Sequence, residues 1–180
     1  GQSFEDYVKA NPVRPNAERT TLYVQPLGSF EAPHQQAMEA AAELLGLFYG
    51  LPVQFLDGLD LALSPHSARR RHPYEGEQIL TRWVLRTLRR RKPANSVAVL
   101  ALTAADLWPG EGWNFVFGQA SLRHGVGVWS LHRLGSPLQV VRRLSTRSLD
   151  QVVSQTSVKS CRRSILLAAA AHPVGACTAL

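Results

Sequence analysis

Two cysteines and a single methionine in 180 residues set the first limits. Cys161 and Cys177 are too few for a disulfide framework or a thiolate zinc site, and they are spaced far beyond any C-x-x-C unit. Free thiols and a reducing, cytoplasmic setting are the expectation. Long apolar runs are missing too. The longest candidate, Ile165–Ala171 (ILLAAAA), falls far short of the roughly 20 residues that span a bilayer, so no membrane partner is expected. The chain opens at Gly1, and no basic stretch leads into an apolar one, so no secretory signal is read. Acid is scarce: 13 Asp and Glu stand against 20 Lys and Arg, no glutamate follows Glu111, and Asp150 is the one acid beyond Leu134.

What is present suffices for a core. With 45% hydrophobic residues the chain can bury one domain, and a monomer is expected. The net charge of +7 would suit a polyanion, and it clusters in Arg69–Arg71, in Arg89–Lys92 and between Arg142 and Arg163. The first run follows SPHS in a loop. The second falls in the last turn of a helix, where cations complement the carbonyl end of the dipole. Without a nucleic-acid-binding motif beside it, this charge reads as a solvated basic face, and nucleic acid is disfavoured as a partner.

Period and punctuation place the elements. TLYVQ, residues 21–25, reads as a strand ending at Pro26. Ala37, Ala41, Leu44, Leu45 and Phe48 recur at helical spacing, giving a helix over 34–49 with Pro33 at its start and Gly50 past its end. Residues 52–56 form a second strand, followed by a long loop through Pro73. Ile79, Leu80, Trp83, Val84, Leu85 and Leu88 predict a helix over 75–91, acids in its first turn and arginines in its last. The apolar run SVAVLALT gives a strand over 96–102, covered on both faces. Strands over 113–117 and 126–131 follow with no helix between, so one is antiparallel to its neighbour or lies at the sheet edge. The fold class is therefore α/β, with a mixed, mostly parallel five-stranded sheet and two helices.

The block VAVLALTAADLWPGEGWNFVFGQASLRHGVGVWSLHRL, residues 97–134, closely resembles the archaemetzincins, a branch of the metzincin zinc metallopeptidases. YVQPLGSF (23–30), FYGLPVQFL (48–56) and YEGEQIL (74–80) are similar to earlier segments of the same family. The resemblance implies a metzincin-like upper subdomain with an antiparallel edge strand along a cleft, then a helix carrying H-E-x-x-H-x-x-G-x-x-H. It implies catalytic zinc, a peptide substrate, and a backbone role for Asn114, Phe115, Val116 and Phe117, which would pair with an extended peptide by strand addition.

The zinc helix itself is absent from the sequence. Two histidines at i and i+4 with a glutamate between would be required, and His34, His66, His72, His124, His132 and His172 include no such pair. Pro173 after His172 would end a helix there. Residues 1–135 thus read as a metzincin-like core with an incomplete C-terminal part, and 136–180 as a divergent, poorly packed tail. No catalytic residue and no metal ligand is assigned, and no zinc is expected on the chain as given. Two readings stay open: a zinc metallopeptidase by descent that is inactive in this form, or a binding protein, either a peptide-binding remnant or a basic polyanion binder. His124 and His132 read as surface or hydrogen-bonded, and Trp83, Trp108, Trp113 and Trp129 as core anchors. No G-x-S-x-G elbow supports a hydrolytic triad, and GEGWNFVFG lacks the G-x-G-x-x-G order of a nucleotide cradle.

Overall fold

β-Branched and aliphatic segments separated by turn residues become sheet in a computed structural model, which describes residues 3–134. In chain order it holds α1 (Phe4–Lys9), β1 (Thr21–Leu27), α2 (Ala32–Tyr49), β2 (Val53–Phe55), β3 (Arg69–His72), β4 (Gly76–Leu80), α3 (Thr81–Arg91), β5 (Ser96–Thr103), β6 (Asp106–Trp108), β7 (Gly118–Ser121) and β8 (Val126–Ser130). Five strands make one sheet in the order β2-β1-β5-β8-β7. Its first four members are parallel, and β7 runs antiparallel to β8 at the edge. The α/β class and the mixed, mostly parallel sheet are those the sequence predicts. No helix among the described residues is long and apolar enough to cross a membrane.

Helices α2 and α3 take opposite sides of this sheet. Val84 and Leu88 of α3 pack with Tyr23, Val99, Ala101, Val126 and Val128 in the main core. Met38 and Ala42 of α2 pack with Val24 on the other side, with Leu102 and Val53 against them. α2 has a proline in its first turn and ends where Gly50, at φ +63°, donates its N–H to Gly46 O at 2.9 Å, a left-handed cap that glycine adopts without strain.

Several expectations are displaced. β5 is sealed on the side of Val99, Ala101 and Thr103, but Ala98, Leu100 and Leu102 on its other side are only half-buried, because α2 covers that side in part. β1 passes through Pro26 to Leu27; the proline lacks only a donor, and its carbonyl still accepts from Leu59 N at 2.9 Å. The helix expected from residue 75 begins at Thr81, and its first turn holds no acid. Glu75 and Glu77 belong instead to a hairpin and its turn, in which Arg69–His72 pairs with Gly76–Leu80. The loop assigned to the arginine run is therefore strand β3. With β6 alongside β4, this hairpin makes a second, three-stranded sheet that the sequence reading lacked. The strand expected over 113–117 is irregular chain, and the edge strand starts at Gly118. Glycine is required there: a Cβ on Gly118, or on Gly127 of β8, would fall inside the indole of Trp129, which lies across both. All four tryptophans are half-buried, and Trp83 packs against the main core. The expectations for 136–180, including Cys161, Cys177 and His172, fall outside the described residues.

Candidate functional site

Open α/β sheets place their ligand crevices beyond the carboxyl ends of the strands. At that end of β5 and β8 a polar network ties the two sheets together. Asp106, fully buried at the start of β6, accepts from Arg133 Nε at 2.9 Å, Arg133 Nη2 at 2.7 Å and Gln78 Nε2 at 2.6 Å. Burial pushes the Asp106 carboxyl up, but the bonds from Arg133 and Gln78 outweigh it and hold the group below its ordinary value. The same pairing raises Arg133. Glu75 completes the cluster, with Oε1 3.3 Å from Arg133 Nη1 and Oε2 3.1 Å from His132 Nε2.

This network holds the segment for which the family resemblance implies a backbone role toward a peptide. Arg70 Nη2 donates to Trp113 O at 2.8 Å and to Asn114 O at 2.6 Å, and Gln78 Nε2 donates to Asn114 O at 2.9 Å. Val116 N donates to Leu107 O, and Phe117 O accepts from Ser130 N at 2.8 Å. The guanidinium of Arg133 lies 3.8 Å from the Phe115 ring centre, and Phe115 meets Phe117 edge to face. Asn114 and Phe117 are exposed, whereas Phe115 and Val116 are half-buried. The four residues are thus one pinned loop that leads directly into edge strand β7. At the neighbouring end of β7, Thr81 donates its hydroxyl to Gln119 Oε1 and joins α3 to the edge.

The charges of this cluster are spent on one another. Asp106 and Glu75 face Arg133, and Arg70 serves two carbonyls, so the arrangement positions a loop rather than supplying a free acid, base or nucleophile. Zinc does not fit it: among the described residues no three His, Cys, Asp or Glu side chains gather as a metal site would need. His132 has Glu75 beside it, and His124 Nδ1 lies 2.8 Å from Ser121 Oγ, the hydrogen-bonded state the sequence reading expects. That reading missed Asp106, Gln78, Arg70 and Arg133. A polar residue inside an apolar run, as in TAADLW and GEQIL, is the signal that was available, because such a residue is buried only with partners.

Comparison with known proteins adds sequence and fold relatives. No protein-family model matches the chain. It is 33% identical over 147 residues to archaemetzincin-2 of Macaca fascicularis, covering 78% of this chain and 41% of that protein. To archaemetzincin-2 of Rattus norvegicus it is 37% identical over 139 residues, covering 74% and 38%. The crystal structure of an archaemetzincin from Methanopyrus kandleri superposes with a TM-score of 0.51 at 26% identity, covering 72% of this chain and 69% of that one. The chain spans about two fifths of the length of the curated relatives it matches.

Proposed function

Since the chain belongs to the archaemetzincin family over about three quarters of its length, we propose that residues up to about 135 are the cleft-forming core of a zinc peptidase fold. In this reading the core presents Asn114–Phe117 and the adjoining edge β7 to an extended peptide, and the chain as given neither holds catalytic zinc nor hydrolyses peptide bonds. The observation that carries the reading is the antiparallel edge strand β7, fed by a loop whose backbone is held from within by Arg70 and Gln78. A peptide laid along this edge gains main-chain hydrogen bonds, and the exposed Phe117 offers it an apolar contact. The inactivity in this reading is supported by the absence of H-E-x-x-H from the given sequence. The division at about residue 135 belongs to the same proposal.

The test uses the whole chain. After incubation with zinc and dialysis, metal analysis should find no stoichiometric zinc, and a peptide library should remain uncleaved. A fluorescent extended peptide should bind, Phe117→Asp should weaken that binding, and N-methylation of the peptide backbone should abolish it. One tightly held zinc per chain together with chelator-sensitive cleavage would overturn the inactivity. Binding indifferent to N-methylation would overturn the edge assignment. A basic polyanion-binding role has one observation in its favour, the exposed Arg82, Arg86, Arg89 and Arg90 on α3. It requires nucleic-acid affinity that falls steeply with salt.

A further inference from the structure

Alternation along β7 decides which of its groups a neighbour can reach. Ser130 N donates to Phe117 O at 2.8 Å, and the same register pairs Gly118 with Trp129 and Ala120 with Gly127. Bonded and non-bonded pairs alternate in an antiparallel ladder, so Phe117, Gln119 and Ser121 turn their main-chain groups toward β8, while Gly118 and Ala120 turn theirs out to the edge. Among the described residues no other backbone group bonds to those of Gly118 and Ala120. The two faces beside this edge differ in character. On one, the indole of Trp129 lies across Gly118 and Gly127, and beyond it an apolar groove of about 760 Å³ passes Ala120 and Leu122 to Leu100 of β5, with Arg14 the single charged residue in its described lining. On the other face lies α3. Arg82, Arg86 and Arg89 are spaced four and three apart, so they share one side of that helix, and all three are exposed. Contacts at both ends set α3 along β7 with this row beside the edge: Thr81 donates its hydroxyl to Gln119, and His124, lowered first by desolvation, is lowered further by the nearby Arg89 and Arg123. Among the described residues none of these four arginines has an ion-pair partner.

We propose that the peptide accepted by this edge alternates apolar and acidic side chains, the apolar ones opposite Gly118 and Ala120 and the acidic ones opposite Gln119 and Ser121, a preference that rests on the edge reading of β7 given above. Residues directly opposite one another in an antiparallel pair carry their side chains on the same face. A side chain opposite Gly118 or Ala120 therefore meets the rim of the Trp129 ring and the mouth of the groove, and the small residues there leave room for it. A side chain opposite Gln119 points to the α3 face, because Gln119 itself reaches Thr81. On that face a carboxylate answers arginines that have no carboxylate among the described residues, whereas a lysine meets like charge. The phosphates of a nucleic acid satisfy the arginines too, but they bring no alternating apolar side chains to the Trp129 face.

The probe is a short fluorescent peptide of alternating leucine and aspartate, titrated against the full chain and read by anisotropy. It should bind about tenfold tighter than peptides in which serine replaces every leucine or lysine replaces every aspartate, and tighter than a peptide of the same composition arranged in two blocks. Arg86→Glu should weaken the aspartate peptide about fivefold and strengthen the lysine peptide. Arg71→Glu, the same charge change at an exposed position of β3, should leave both within about twofold. Equal affinity for the aspartate and lysine peptides, each lost on N-methylation of the backbone, overturns the alternation and leaves the edge reading standing. No binding by any of the peptides overturns both. Equal losses in Arg86→Glu and Arg71→Glu reduce the preference to net charge and overturn it. A single-stranded oligonucleotide that binds more tightly than the aspartate peptide, and loses affinity through Arg86→Glu, assigns the arginine row to nucleic acid and overturns it as well. Both arginines are exposed, and unchanged tryptophan fluorescence checks that each variant is folded.

Discussion

Changing Asp106 to alanine removes the acceptor of three hydrogen bonds at once, two from Arg133 and one from Gln78. Gln78 keeps Asn114 O as a partner. Arg133, with its side chain 19% exposed, keeps the Phe115 ring and, as its one ion-pair partner among the described residues, Glu75, whose own side chain is 35% exposed. Removing one member of a buried pair costs about 3–5 kcal/mol, whereas an exposed pair is worth about 0–1 kcal/mol. The residual contact with Glu75 and the partial exposure of Arg133 place the expected loss at the lower end, about 3 kcal/mol. In a chain of this length that corresponds to a Tm lower by about 6–12 °C. Urea unfolding followed by tryptophan fluorescence measures it, with the slope unchanged if only stability has moved. The pair also has an acid signature. The Asp106 carboxyl is held below its ordinary value in the fold, so its contribution is complete above about pH 4 and fades as pH falls through the lowered value. Asp106→Ala should therefore flatten the acid limb of the stability profile. In a double-mutant cycle with Arg133→Met, the two changes should cost less together than their sum by at least about 1 kcal/mol. A loss of about 1 kcal/mol or less for Asp106→Ala, with additive singles, would refute the reasoning, because the pair would then behave as a surface ion pair.

Leu88→Ala, in the face of α3 that seals the core, should cost about 2–5 kcal/mol in the same assay, since Leu88 is 1% exposed. Gly127→Ala places a methyl inside the Trp129 ring; it should cost about 1–3 kcal/mol and shift the tryptophan emission as the indole is displaced. His124 should titrate below the ordinary imidazole value of about 6.5 by NMR, through its desolvation first and then through Arg89, Arg123 and Lys92. Its neutral form stabilises the fold above about pH 6.5, that contribution fades as pH falls through the lowered value, and Arg89→Ala should raise the midpoint.

The strands of the main sheet were legible wherever one run of residues met one demand. Val97–Leu102 is apolar throughout and lies in the central strand, and the helix of 34–49 carries its proline and glycine where a helix needs them. Errors arose where the deciding partner was distant in sequence. Ile79 and Leu80 satisfy a helical period with Trp83 and Val84, but pairing with Arg69 and with Leu107 makes Ile79 part of a strand. NFVF has more strand propensity than GQAS, yet the neighbouring β8 presents Trp129, and small residues must lie beneath that ring. Family resemblance singled out residues 114–117, but as an edge strand, where the structure has irregular chain. The residues that hold that segment were not legible, because nothing local indicates that Asp106 and Arg133, 27 positions apart, form one pair.

The strand order also sets a timetable for synthesis. β1 is almost wholly buried, yet its central partner β5 lies far downstream: Tyr23 Oη donates to Asn95 Oδ1 across 72 positions, at the point where the two strands begin to run together. At translation rates of about 5–20 residues per second, the apolar edge of β1 waits about 4–14 s on the ribosome with only β2 beside it. Such an interval is long compared with hairpin or helix formation and exposes an unpaired strand, the condition under which nascent chains aggregate or recruit chaperones. The chain should consequently depend on chaperones more than its modest length suggests, and slowing its translation between β2 and β5 should lower the soluble yield.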